Sequence, residues 1–189
     1  MTSVLVSGAE PLAVPLAEAL RARGAEVTTV VDLVDMASAC ERAGASAFDA
    51  YVQLSSTYEM RGETVVDRVH HFYAEGVLAR FSALGSALTT LTPDGSITFV
   101  LGHLPAEVAS SDDRDARLSL TKVLAHAARA DAPDSTLAVR VLESGATVEE
   151  VVAAALGEVS SSRQLVERLA DLDYADWRVE VLGLAALET

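Results

Sequence analysis

Only one cysteine, Cys40, occurs among the 189 residues. That excludes an internal disulfide and fits a reducing compartment; the thiol itself is expected to be a small buried apolar group. Basic residues are also scarce, with 14 Lys and Arg against 28 Asp and Glu and a net charge of −14. Nucleic acid and anionic membrane both reward a basic face, so neither is an expected partner. Acidity of this size can simply serve solubility. No apolar run is long enough to cross a bilayer, and no basic segment followed by an apolar core opens the chain, so the expected location is cytoplasmic. Neither a linker nor an internal repeat interrupts the sequence. Residues 1–189 therefore read as one domain, with an insertion-like polar loop at about 104–114. Half of the residues are hydrophobic, enough for a substantial core and too many for a disordered chain.

What is present is an alternation of short apolar runs and helical patterns. Val4, Leu5 and Val6 form a continuous apolar run, as in a strand covered on both faces. Leu12, Leu16 and Leu20 recur at i+4, and Gly24 stops the helix they predict. Proline is tolerated only in the first turn, so Pro15 sets the helix start near Leu12 to Val14. Glu26 to Val31 is the next strand, and it ends in Asp32. Strand, tight turn, helix and second strand ending in an acid make up the opening βαβ unit of a dinucleotide-binding fold. A short helix at about Met36–Ala43 and a strand at Phe48–Leu54 follow. A long helix with two apolar faces is expected from about Glu63 to Leu91, then a Pro93-Asp94-Gly95 turn and a strand at Ser96–Leu101. Another long helix is expected at about Asp115–Ala130, a strand at Thr136–Leu142, and a helix capped by Thr147. A short helix at about Ser162–Ala170 and a sixth strand at Trp177–Leu182 close the series. Such alternation predicts an α/β Rossmann-like, three-layer, doubly wound parallel sheet of about six strands.

In this order the chain resembles the short-chain dehydrogenase/reductase family. The resemblance rests on Asp94-Gly95-Ser96-Ile-Thr-Phe-Val, on Thr121-Lys122 followed by a helix and Ala-Pro-Asp, and on the Trp177 strand. It spans nearly the whole chain, which is shorter than the family usual; the missing part falls between Asp32 and Phe48, where one strand and one helix are absent. Position by position, the resemblance implies a degenerate member. Gly8 matches the first glycine of the family's glycine-rich turn, but Leu12 and Val14 stand where the other two belong. Gln53-Leu54-Ser55-Ser56 replaces Asn-Asn-Ala-Gly, Gly102 or His103 the active-site Ser, and Tyr73 the helix Asn. Leu118 replaces the catalytic Tyr, while Lys122 is retained. Ketone reduction needs a hydroxyl to deliver a proton, and Leu118 has none. The resemblance thus implies a non-catalytic binding or structural subunit without a cofactor. One alternative is a cofactor-independent enzyme acting on a small molecule in the old cleft; another is a residual NAD(P)-dependent reductase.

The candidate catalytic residues are His103, Lys122 and Tyr58, and the vestigial cofactor residues are Gly8 and Asp32. His103 follows a central strand, and the same rim carries Glu10, Ser55, Ser56 and Ser144, where open α/β sheets bind ligands. Asp32 is read mainly as a helix cap. Asp67, His70, His71 and Glu75 share helical spacing, but no second cluster completes a metal site, so none is expected. In the family the two long helices pack against a neighbouring subunit. The helices at about 63–91 and 115–130 are therefore expected to form a homodimer, or a heteromer with a protein of that family.

Overall fold

The computed structural model describes residues 1–8, 11–54, 62–101, 111–131, 136–142 and 146–158. Its five strands are β1 (Ser3–Ser7), β2 (Glu26–Val30), β3 (Phe48–Leu54), β4 (Leu91–Val100) and β5 (Ala138–Leu142). They form one parallel sheet in the order β2-β1-β3-β4-β5. The expected strand at Trp177–Leu182 and the helix at Ser162–Ala170 lie outside the described residues.

Helices α1 (Ala13–Ala22) and α6 (Val148–Ala155) pack on one side of the sheet. On the other lie α2 (Met36–Ala43), α4 (Ala79–Leu88) and α5 (Ser111–Ala130). Two apolar clusters fill the spaces between the layers. Val4, Val6, Val52 and Val100 meet Leu16, Leu20, Val151 and Val152 on the first side. Leu5, Tyr51, Ile97, Phe99 and Val139 meet Met36, Leu84 and Leu124 on the second. Successive residues of β1 enter opposite clusters, which explains why its run is continuously apolar. The polypeptide crosses from the α1 side to the α2 side between β2 and β3 with only α2 in between. Among the described residues β2 is an edge strand of the sheet. The edge is partly covered by Arg21, whose guanidinium donates to the Val27 carbonyl (3.2 Å).

Three expectations are corrected. The helix expected at about 63–91 runs from Val65 to Leu88 in three parts: α3 (Val65–His71), a π-helical segment (Phe72–Leu78), and α4. Leu91 belongs to β4 and pairs with Phe48. The Pro93-Asp94-Gly95 turn exists, but as an excursion inside β4: Phe48 faces Leu91, whereas Ala50 faces Ser96. Gly95 is needed there, since a Cβ would meet the Thr92 carbonyl oxygen at 2.9 Å. Asp94 accepts a hydrogen bond from Thr136, tying this turn to the approach to β5. Finally, α5 begins at Ser111, so the polar loop expected at 104–114 ends earlier; residues 102–110 lie outside the described residues.

Candidate functional site

In an open α/β sheet, ligands bind beyond the carboxyl ends of the strands where the connections diverge to opposite faces. Here that place lies between β1, which leads to α1, and β3, which leads to α3 and α4. Ser7 ends β1 beside Gln53 of β3. Gly8 follows with φ +109°, donating its N–H to the Val30 carbonyl (3.0 Å). A Cβ on Gly8 would lie 2.9 Å from the Leu54 carbonyl oxygen. The absence of a side chain is therefore used by the close approach of β3. Leu12 sits at the start of α1, half-buried against the Val4–Leu16 cluster, while Val14 in the first turn is 68 % exposed. The N-cap residue of α1, Leu12, offers no side-chain hydrogen bond to the helix start. Asp32 instead caps a short 3₁₀ turn (Leu33–Asp35), accepting the Val34 N–H at 3.2 Å.

Beneath this crevice lies a buried polar cluster. The Gln53 amide donates to the Tyr51 hydroxyl (3.0 Å) and to the Arg80 carbonyl (3.2 Å), and its own carbonyl accepts from Arg80 Nε (3.1 Å). The Tyr51 and Ser7 hydroxyls share a further bond of 2.8 Å. Ser7, Tyr51 and Gln53 are fully buried and Arg80 is 6 % exposed. A buried guanidinium keeps its charge and needs such partners. Desolvation is the largest influence on Tyr51 and pushes its phenol up to about 12, against smaller lowering by its bonds to Ser7 and Gln53 and by the Arg80 charge. This cluster was not legible beforehand, although two signals pointed to it. Ser7 is a polar residue closing the apolar Val4–Val6 run, Gln53 is a polar residue inside the apolar stretch Ala50–Leu54, and Arg80 is the only charged residue between Gly76 and Thr90.

The residues singled out from the sequence separate as follows. Lys122 on α5 is buried, 6 % exposed, and Thr121 beside it is fully buried. Leu118, one turn earlier, packs against the Leu5–Phe99 cluster. Tyr73 is exposed within the π segment. His103, Tyr58, Glu10, Ser55, Ser56, Gly102 and Ser144 lie outside the described residues. Asp67 is occupied at the start of α3: its carboxylate accepts from the Thr64 N–H (3.1 Å) and hydroxyl (2.7 Å), and its N–H donates back to Thr64 Oγ (3.1 Å). Those bonds, with a smaller contribution from His70, hold the Asp67 carboxyl below the usual range. Among the described residues no three His, Cys, Asp or Glu side chains converge as metal ligands. Cys40 is buried, with the Thr90 hydroxyl 3.9 Å away, and desolvation pushes its thiol up. Among the described residues no helix is long and apolar enough to span a membrane.

The sheet order and the divergent crevice define a doubly wound, Rossmann-like α/β fold. Solved structures agree. The protein lin1944 from Listeria innocua superposes with a TM-score of 0.60 over 87 % of this chain and 96 % of its own, at 16 % identity. A proposed short-chain dehydrogenase/reductase from Burkholderia multivorans, with NADP bound, gives 0.61 over 83 % and 91 %, at 13 % identity. A Serratia marcescens short-chain dehydrogenase/reductase variant gives 0.61 over 85 % and 90 %, at 14 % identity. Likeness at these identities shows a shared fold and no more. A scan of known protein families finds no match, nor does a search of curated proteins.

Proposed function

We propose that the protein is a non-catalytic member of this fold that acts as a binding or structural subunit, joined through its long helices to a second copy or to an active reductase or biosynthetic enzyme. The observation that carries this reading is Leu118. At the place where the resemblance puts the proton-donating tyrosine stands an aliphatic side chain, half-buried against the core. Tyr51, the phenol beneath the crevice, does not substitute for it: it is sealed from solvent and pushed up to about 12, a poor proton donor near neutrality. A nicotinamide dinucleotide is a poor fit to the β1–α1 turn. The missing Cβ of Gly8 makes room for Leu54, and Leu12 and Val14 stand where glycines would admit a pyrophosphate. Exposed Val65, Val66, Val69, Tyr73 and Leu78 on the long helix suit burial against another subunit.

Two other readings remain as outcomes of the test. The NADP bound in the Burkholderia structure favours residual cofactor binding. The buried Lys122 favours different chemistry in the crevice, with His103 and Tyr58 as partners. Titration calorimetry with NADPH and with NADH, alongside light-scattering mass, decides among them. No binding heat and a mass of two or more chains are expected. Saturable heat at micromolar nucleotide would favour the reductase, and a stable monomer at micromolar concentration would count against the subunit. If a substrate is found, activity unchanged by His103→Ala removes His103 from the site.

A further inference from the structure

The outward side of the helical run from Val65 to Leu88 carries a single exposed row that a continuous α-helix could not make. Val66, Val69 and Tyr73 are exposed at steps of three and four, and Leu78, Ser82 and Gly85 continue the row at steps of four and three. Between Tyr73 and Leu78 the step is five, the spacing of the π-helical pairing of Phe72–Leu78. Continued as α-helix from Tyr73, the row would reach Val77, Arg80 and Leu84, and the last two are buried. The π segment therefore leaves Arg80 clamped to Gln53 and aligns the exposed side of α3 with that of α4. The two halves of the row differ in size. The first is bulky, with Val65, Val66, Val69 and Tyr73; beyond Leu78 the second is small, with Ser82, Gly85 and Ser86. Beside the small half a groove opens toward α2, walled by Leu33, Val34 and Met36 on one side and by Leu78, Ala79 and Ser82 on the other. Its volume is about 320 Å³, about ten times a water's share of the liquid, which is room for side chains and not a packing defect. Of the large apolar side chains exposed among the described residues, all but Met1 and Val14 lie on this helix or on the turn after β2 that walls the groove.

A bulky half and a small half on one row fit each other when a second helix runs the opposite way. We propose, resting on the reading of the long helix as a subunit contact, that this row and its groove are an interface with a second copy of the chain. The two long helices lie antiparallel about a two-fold axis that passes between Tyr73 and Ala74. With that axis Val69 meets the partner's Leu78 and Val65 meets the partner's Ser82, so α3 of each copy lies along the groove of the other. The overlap from Val65 to Ser82 is about 27 Å at about 1.5 Å per residue. Charge favours the same register. Asp32 and Asp35 flank Leu33 and Val34 at the rim of the groove, and both are exposed. Arg68 and His70 of α3 arrive at that rim, level with the partner's Ala79 and Val77. The one acid of α3, Asp67, is already engaged with the Thr64 N–H and hydroxyl. The proposed contact also supplies what α3 lacks. None of its residues is buried, and so short a helix has little stability without packing.

Cysteine pairing in the full chain, in a Cys40→Ser background, reads the register. A mixture of Val69→Cys and Leu78→Cys chains should form a mixed disulfide under mild oxidation. It should form at least about tenfold faster than the disulfide of Val69→Cys chains alone, whose Cα atoms lie too far apart to bridge. Ser82→Glu should raise the dissociation constant of the dimer at least about tenfold, and adding Val65→Lys to the same chain should restore it, because each acid then faces a base of the partner. All these positions are exposed, so a Tm within about 4 °C of the parent shows that each variant folds. Light-scattering mass separates this inference from the broader reading. A dimer that gives no cross-link between 69 and 78, or that Ser82→Glu leaves intact, overturns the groove interface and leaves a subunit contact elsewhere on the molecule. A chain that is monomeric alone and pairs only with an added reductase overturns the second copy as the occupant. A monomer under both conditions overturns the interface and the subunit reading together.

Discussion

At the scale of single residues, physical cause and sequence signal part company. Gly8 is glycine because φ is +109° and a Cβ would press on the Leu54 carbonyl. Gly8→Ala should therefore cost about 1–3 kcal/mol in chemical denaturation, a loss owed to folding and needing no ligand. Tyr51 makes a second prediction. Its phenol is held near 12 in the folded protein against an ordinary value of 10. Between those values the unfolded chain loses its proton and the folded one keeps it, so the contribution to stability is intact below about pH 10 and disappears as pH rises to about 12. The loss amounts to about 2–3 kcal/mol, and Tyr51→Phe should lack that part of the alkaline decline in urea midpoints. From the sequence Gln53 could be named, as the counterpart of a family Asn. Its partners could not, because Arg80 is 27 positions away and Ser7 shares the cluster only through Tyr51, 44 positions from it. Periodicity shows which side of an element is apolar and does not reveal which polar residues meet across a sheet.

Among the secondary-structure elements, local signals were followed closely. Thr147 caps α6 in a reciprocal box with Glu150, as its position before Val148-Glu-Glu predicted. Thr147→Ala should lower stability by about 1 kcal/mol, read by thermal melting. The start of α1 at Ala13 and its end before Gly24 also follow from proline and glycine chemistry. The long helix was legible as a whole, but its division was not. An apolar pattern that is satisfied on several faces does not distinguish α from π pairing, and the difference depends on how far the anchored half is held by the sheet. On α5, Leu118→Tyr tests whether the fold still offers reductive chemistry. Because Leu118 packs against the core, the larger side chain should cost about 1–3 kcal/mol. NADPH oxidation with a panel of ketones should stay at background, and a gain of turnover would contradict the reading that the crevice no longer admits the cofactor.

The molecule as a whole has a face that its charge would lead one to miss. Despite a net charge of −14, the outward side of the long helix carries Val66, Val69, Tyr73 and Leu78, exposed and apolar. If copies associate there, Leu78→Glu, at a position 58 % exposed, should convert the dimer to a monomer in light scattering while leaving Tm within about 4 °C of the parent. A variant that remains dimeric would move the interface elsewhere. By itself the sequence determined the alternation of strands and helices and the parallel doubly wound class. These depend on periodicity, breakers and caps, which act within a few residues of one another. Only the tertiary structure decided that the vacancy of Gly8 is taken up by β3, that Arg80 is clamped under the crevice, and that the long helix changes register before it. Each of those depends on contacts between segments far apart in the chain, where close packing rather than local preference sets what a residue can do.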